Sequence, residues 1–145
     1  MIKTFHITPN NVNIIDREIS KQPCFVKVYH PYCIHCENMK GEWNKLEKNL
    51  KNNFKGNIKL FNIHSDSLPY IKNKNLKNIT GFPSIKILKN NGESFDYNGN
   101  RTANDMLNFC LENTNISKKV KVNTNNLSKK LKKKLKRKKS KKKIY

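Results

Sequence analysis

Cys33 and Cys36 stand three residues apart in the run Cys33-Ile34-His35-Cys36. Two thiols at this spacing can close reversibly into a disulfide or supply half of a tetrahedral metal site. A structural zinc site needs four ligands at compatible spacing, and the chain has no second Cys-x-x-Cys and no His pair. The remaining metal option recruits His35 together with the distant His30 or His64. Context favours redox chemistry. The pair follows a short apolar run, Cys24 to Tyr29, broken by Pro31, and opens the longest amphipathic stretch of the chain. In the first turn of a helix the unpaired backbone N–H groups and the dipole favour an anion. Cys33 is therefore expected to ionise below the ordinary thiol value of about 8.5 and to serve as the nucleophile. Cys36 lies one turn deeper on nearly the same face, where it can bond to Cys33 or attack a mixed disulfide and release a substrate. His35 adds a donor and, when protonated, a charge; both favour thiolate over disulfide and so make the disulfide a better oxidant. No metal and no cofactor are called for.

The elements that must hold this pair are visible as periodicities. Ile2 to Ile7 alternates and reads as a short strand closed by Pro9, and Val12, Ile15 and Ile19 give Asn10 to Ser20 one apolar helical face. Cys24 to Tyr29, apolar except for Lys27, reads as a buried strand. Met39, Trp43, Leu46 and Leu50 then recur at steps of three and four, predicting the longest helix from Cys33 to about Asn52. A strand over Asn57 to Ile63 and a weak helical turn around Leu68 to Leu76 follow. Strands at Ser84 to Leu88 and Ser94 to Tyr97 flank an Asn90-Asn91-Gly92 hairpin turn. Thr102 caps a last helix with Met106, Leu107, Cys110 and Leu111 on its apolar face. The order β-α-β-α-β-α-β-β-α demands parallel crossovers and ends in an antiparallel pair. The expected product is an α/β domain with a mixed central sheet flanked by helices on both faces. Cys24 and Cys110 fall on core faces and are expected to be buried thiols, not a second disulfide.

Three segments resemble the thioredoxin superfamily, and are closer to protein disulfide isomerase domains than to thioredoxins proper. They are Phe25 to Trp43 around the cysteine pair, Gly81-Phe82-Pro83-Ser84-Ile85-Lys86, and Tyr97-Asn98-Gly99-Asn100-Arg101-Thr102. The internal His35 is what draws the first toward the isomerases. The resemblance implies a thioredoxin fold and disulfide exchange with protein thiols and disulfides. It also implies site roles: Cys33 and Cys36 as the redox pair, with His35 beside them. Pro83 is implied to be a cis proline facing the pair, with Phe82 and Tyr32 beside it on the substrate side. Arg101 is implied to be a cation that approaches the buried cysteine and lowers its pKa during turnover. Two departures stand out. Lys27 occupies the place, six residues before the first cysteine, where the family usually carries a buried Asp or Glu. It can act there as a cation that lowers the Cys36 pKa, or lose its own proton through burial. Gly41 replaces the proline that commonly kinks the long helix.

Charge divides the chain. Its 145 residues carry 31 Lys+Arg against 10 Asp+Glu, a formal net charge of +21. Residues 1–116 hold 16 of the basic residues and all 10 acidic ones, while residues 117–145 hold 15 basic residues and no acid. The few apolar residues after Ser117 cannot build a core, so the expected organisation is a domain at 1–116 and a basic tail at 117–145, disordered or conditionally helical. Fifteen positive charges attract polyanions through counterion release, with nucleic acid the first candidate and an anionic membrane surface the second. A polyanion-binding or packaging protein that uses its folded domain as a carrier is thus the competing functional class. No apolar run reaches the roughly 18 to 20 residues of a membrane-spanning helix, so no transmembrane segment is expected. The first twenty residues lack the apolar core of a secretory signal. The expected location is cytoplasmic, with the nucleus or a virion as further destinations, the former suggested by the basic cluster at 132–139.

Overall fold

The computed structural model describes residues 2–120; the expectations for the remainder of the basic tail lie outside the described residues. Five strands form the main sheet: β1 (Lys3–Ile7), β2 (Cys24–Tyr29), β4 (Lys59–His64), β5 (Ser84–Leu88) and β6 (Ser94–Asp96), in the spatial order β1-β4-β2-β5-β6. β1 and β2 both run parallel to β4, whereas β5 is antiparallel to β2 and β6 antiparallel to β5. The sheet is therefore mixed, as expected, and the fold is that of thioredoxin; β5 departs from the parallel crossover expected after the third helical segment, because it returns antiparallel along β2.

Helices α2 (Ile34–Asn53) and α3 (Ala103–Asn113) cover one face of the sheet, and α1 (Asn13–Ile19) the other. On the first face Trp43, Leu46 and Leu50 of α2 and Met106 and Cys110 of α3 pack on Phe25, Leu60 and Ile87. On the second, Ile15 and Ile19 of α1 pack on Val26, Val28, Phe61 and Ile63. Alternation along β2 and β4 thus feeds two cores, which is why these central strands are buried on both sides. Thr102 caps α3 as expected, its side chain accepting from the Asp105 N–H at 3.2 Å. The β5–β6 turn closes through Lys89 and Glu93, with Gly92 at φ +88° supplying the left-handed residue.

Two details differ from the periodicity. The third helical segment is a pair of 3-10 turns, Ser65–Tyr70 and Lys74–Leu76, in place of one α-helical turn. Asp66 and Asn75 donate their N–H groups to side chains two residues earlier, His64 and Asn73, and Pro69 lies inside the first turn. Short-range capping and a proline favour the tighter helix there. The second difference is an additional ribbon: β3 (Phe54–Lys55) pairs antiparallel with β7 (Ser117–Lys118). Ile116 is buried beside this ribbon, and Gly56 at φ +134° leaves room for it, since a Cβ there would stand 2.8 Å from Ile116 Cγ2.

Candidate active site

The end of the central strand β2 and the start of α2 meet the loop before β5 at one end of the strands. Cys33 is the N-cap of α2, in extended conformation, and its sulfur accepts from the Cys36 N–H at 3.1 Å. This is the anion-favouring helix start inferred from the sequence, with a sulfur where a serine or aspartate oxygen usually sits. The Cys33 thiol donates to the Phe82 carbonyl at 3.4 Å, which ties the pair to the opposite loop. The Phe82–Pro83 peptide is cis. All four cysteines are free thiols.

The two sulfurs are driven apart in acidity. Desolvation acts to raise Cys33, but hydrogen bonds from the Cys36 thiol and from the Cys36 and His35 backbone, with the Arg101 charge, outweigh it and hold Cys33 below its ordinary value. Cys36 is pushed up to about 11, chiefly by burial and then by its hydrogen bond to Cys33; a backbone hydrogen bond from His30 and the charge of Lys27 only partly offset this. Cys24 and Cys110 are pushed up to about 12 by burial and lie in the two cores, remote in chemistry from the pair.

The remaining residues singled out in the sequence fall around this pair in distinct settings. Tyr32 is 91% exposed, and Ile34 is exposed on the other side of Cys33, giving this sulfur an apolar rim. His35 and Arg101 are exposed, Phe82 is half-buried, and Pro83 is buried. Arg101 shares a pocket of about 290 Å³ with Pro83 and Tyr97. Lys27 is buried in β2 with its Nζ 5.2 Å from the Trp43 ring and 5.6 Å from the Tyr29 ring. Among the described residues no three His, Cys, Asp or Glu side chains converge to hold a metal ion.

Three participants were not legible as such. His30, weighed in the sequence as a distant metal ligand, accepts the Tyr32 N–H on its Nδ1 at 3.1 Å, and its ring lies 5.6 Å from that of Phe82. It therefore braces both flanks of Cys33. Glu47 and Asn62 meet beneath the pair, the Asn62 amide donating to Glu47 at 2.9 Å. A helix position and a strand position 15 residues apart carry no common signal in the sequence; only the β2–β4 register, which sets Asn62 beside Lys27, brings them to the site.

With this geometry in place, the chain is assigned to the thioredoxin family, whose model matches residues 4–112. Within it, the chain is similar to protein disulfide-isomerase A6 of Homo sapiens, at 31% identity over 100 residues, which is 69% of this chain and 22% of that protein. The Drosophila melanogaster A6 homolog is 35% identical over 118 residues, 79% of this chain and 25% of that one. The chain thus spans about a quarter or less of the length of these relatives. Among solved structures, the first thioredoxin domain of mouse protein disulfide-isomerase A4 matches with a TM-score of 0.57 and 27% identity, covering 74% of this chain and 72% of that one. The J-Trx1 fragment of ERdj5 matches with a TM-score of 0.61 at 18% identity, covering 75% and 50%, a likeness of fold. The chain belongs to a family of thiol–disulfide oxidoreductases and carries that family's cysteine pair.

Proposed function

We propose that this chain exchanges disulfides with protein substrates through a dithiol cycle at Cys33 and Cys36. The observation that carries the reading is the opposed acidity of the two sulfurs within one helical turn: Cys33 is lowered at the N-cap and Cys36 is raised behind it. In the reducing direction the Cys33 thiolate attacks a substrate disulfide, forming a mixed disulfide and expelling one substrate thiolate. Cys36 then attacks the Cys33 sulfur, the second substrate thiolate leaves, and two electrons have passed from the pair to the substrate. In the oxidising direction a substrate thiolate attacks the Cys33–Cys36 disulfide and the steps reverse. Arg101 supplies positive charge toward Cys33, and Tyr32, Phe82 and Pro83 form the surface against which an extended substrate lies.

The direction follows from the reduction potential. Reference values run from about −270 mV for thioredoxin to about −180 mV for disulfide isomerase, a gap of roughly 4 kcal/mol for two electrons. The donor that His35 adds beside Cys33 favours the oxidising end of that range. Equilibrating the full chain with glutathione buffers and counting free thiols fixes the value. A pair that stays fully reduced across the whole glutathione range, with no disulfide between Cys33 and Cys36, defeats the reading.

A second reading concerns the basic tail and is favoured by the segregation of charge: 15 basic residues and no acid after residue 116. We propose that this segment holds the redox domain on a polyanion, nucleic acid first, without sequence preference. It has no aromatic residue except the terminal Tyr145 to stack on bases. Retention on heparin that falls steeply with salt is the expected behaviour; elution of the full chain at the same salt as its tail-less form removes this second reading.

A further inference from the structure

Cys36 must give up its proton before it attacks and regain one after it leaves, and its raised pKa makes that transfer the difficult part of the cycle. The buried side of Cys36 opens on a cleft of about 410 Å³, large enough for several waters, that reaches Lys27 and Asn62. Lys27 is 8% exposed, and no hydrogen bond or ion pair ties it to any described residue; the Tyr29 and Trp43 rings lie against its amine, and the charges of Glu47, Cys36 and Lys40 act on it from beyond ion-pair distance. A buried ammonium without a carboxylate contact is costly unless the group changes protonation state or meets water. Beside it in register, Asn62 leaves its Oδ1 buried without a donor, because its Nδ2 is committed to Glu47. Glu47 is held in turn by the Thr4 hydroxyl at 3.4 Å. The cleft thus brings an amine without a hydrogen-bond partner among the described residues to the same space as Cys36.

We propose that Lys27 carries the proton to and from Cys36: its neutral amine takes the proton, directly or through water in the shared cleft, when Cys36 attacks, and its ammonium returns the proton when Cys36 leaves. This rests on the disulfide-exchange reading above. The step balances as Cys36–SH plus Lys27–NH2 giving Cys36–S⁻ plus Lys27–NH3⁺, after which the thiolate attacks the Cys33 sulfur and the substrate thiolate departs.

The other titratable groups facing this space do not displace Lys27. His6 on β1 and Glu37 and Lys40 on α2 are exposed at the mouth of the cleft, in contact with bulk solvent. His30 engages the Tyr32 N–H through its Nδ1, and the Tyr29 ring lies under the Lys27 amine. Glu47 accepts from Asn62 and Thr4. Burial lowers the Lys27 pKa, opposed by the charges of Glu47 and Cys36, while Lys40 adds to the lowering. The rings stabilise the charged form, so both protonation states have support at one site.

The test reacts the reduced full-length protein with an aromatic disulfide whose thiolate is coloured, so that the first release reports attack by Cys33 and the second reports attack by Cys36. Lys27→Met is expected to leave the first phase within twofold and to slow the second about 100-fold near neutral pH, the usual scale of lost proton transfer. Its second phase should then climb about tenfold per pH unit toward the alkaline range, as unassisted ionisation of Cys36 requires. Lys27→Glu restores a proton acceptor and should recover most of the second phase. Lys27→Arg keeps the charge without a transferable proton and should stay slow. A second phase in Lys27→Met with the original rate and pH profile, an equal slowing at every pH, or recovery by Arg and not by Glu overturns the relay. If the unaltered chain shows no coloured release, disulfide exchange itself fails and the relay falls with it.

Discussion

The two ends of helix α2 do opposite work. At its N-terminus the chain gathers an ionisable sulfur, a cis-proline loop and an apolar rim. At its C-terminus, Lys119 donates its backbone N–H to Asn53 at 2.7 Å and its Nζ to the Lys51 carbonyl at 3.4 Å, while β3 pairs with β7 at Ser117–Lys118. One pole of the helix dipole favours an anion and the other favours cations, and the side chains found at each match. Twenty residues of helix set the two about 30 Å apart. The lesson is a physical separation among the described residues: the cysteine pair stands at one end of the helix and the Lys119 contacts at the other, farther apart than a Debye length of about 8 to 10 Å.

The sharpest way to break that separation is reciprocal. Cys33→Ser should abolish insulin reduction and leave heparin retention unchanged. Truncation after Val120, which removes 13 Lys and Arg but keeps β7, should do the reverse. A truncated form that loses its reductase activity, or a Cys33→Ser form that elutes early from heparin, would show the two poles to be coupled. Next in size is the contrast in acidity. Alkylation follows the thiolate, so Cys33 should react with iodoacetamide well below its ordinary pKa and fall off only as pH drops through its lowered value. Cys36 should remain unmodified until pH approaches about 11. Peptide mapping after pulses across pH reads both.

Smaller effects probe the far pole alone. Gly56→Ala forces a side chain into a left-handed residue against Ile116 and should cost about 1 to 3 kcal/mol in urea unfolding. Its Cys33 alkylation rate should not move; a changed rate would mean that the ribbon and the active site communicate through α2. Gly41, exposed inside α2 with nothing within 4 Å of an added Cβ, offers the smallest change. Gly41→Ala should stabilise by about 0.5 to 1 kcal/mol, measured as a higher urea midpoint at unchanged slope.

Much of this was legible before the structure. The period of two in β1 and the steps of three and four in α2 come from burial of one face, so local order in the chain reports them directly. The placement of Cys33 at a helix start followed from the same signal. The 3-10 turns were read as a single helical turn because Leu68 and Leu76 carry the apolar pattern while side-chain caps decide the winding. The β3–β7 ribbon was invisible: two-residue strands have no period, and their pairing joins positions more than 60 residues apart. Glu47 and Asn62 were missed for the same reason, since strand register and not local pattern brings them to Lys27.

The contact between the Cys33 thiol and the Phe82 carbonyl carries a consequence for timing. A thiolate has no proton to give, so ionisation deprives that carbonyl of its partner in the same instant that it arms the sulfur. On the proposed disulfide exchange, the opposite loop then presents an unpaired acceptor beside a charged sulfur, and a substrate backbone N–H can satisfy the one while delivering its disulfide to the other. Docking and readiness are thereby governed by a single hydrogen atom.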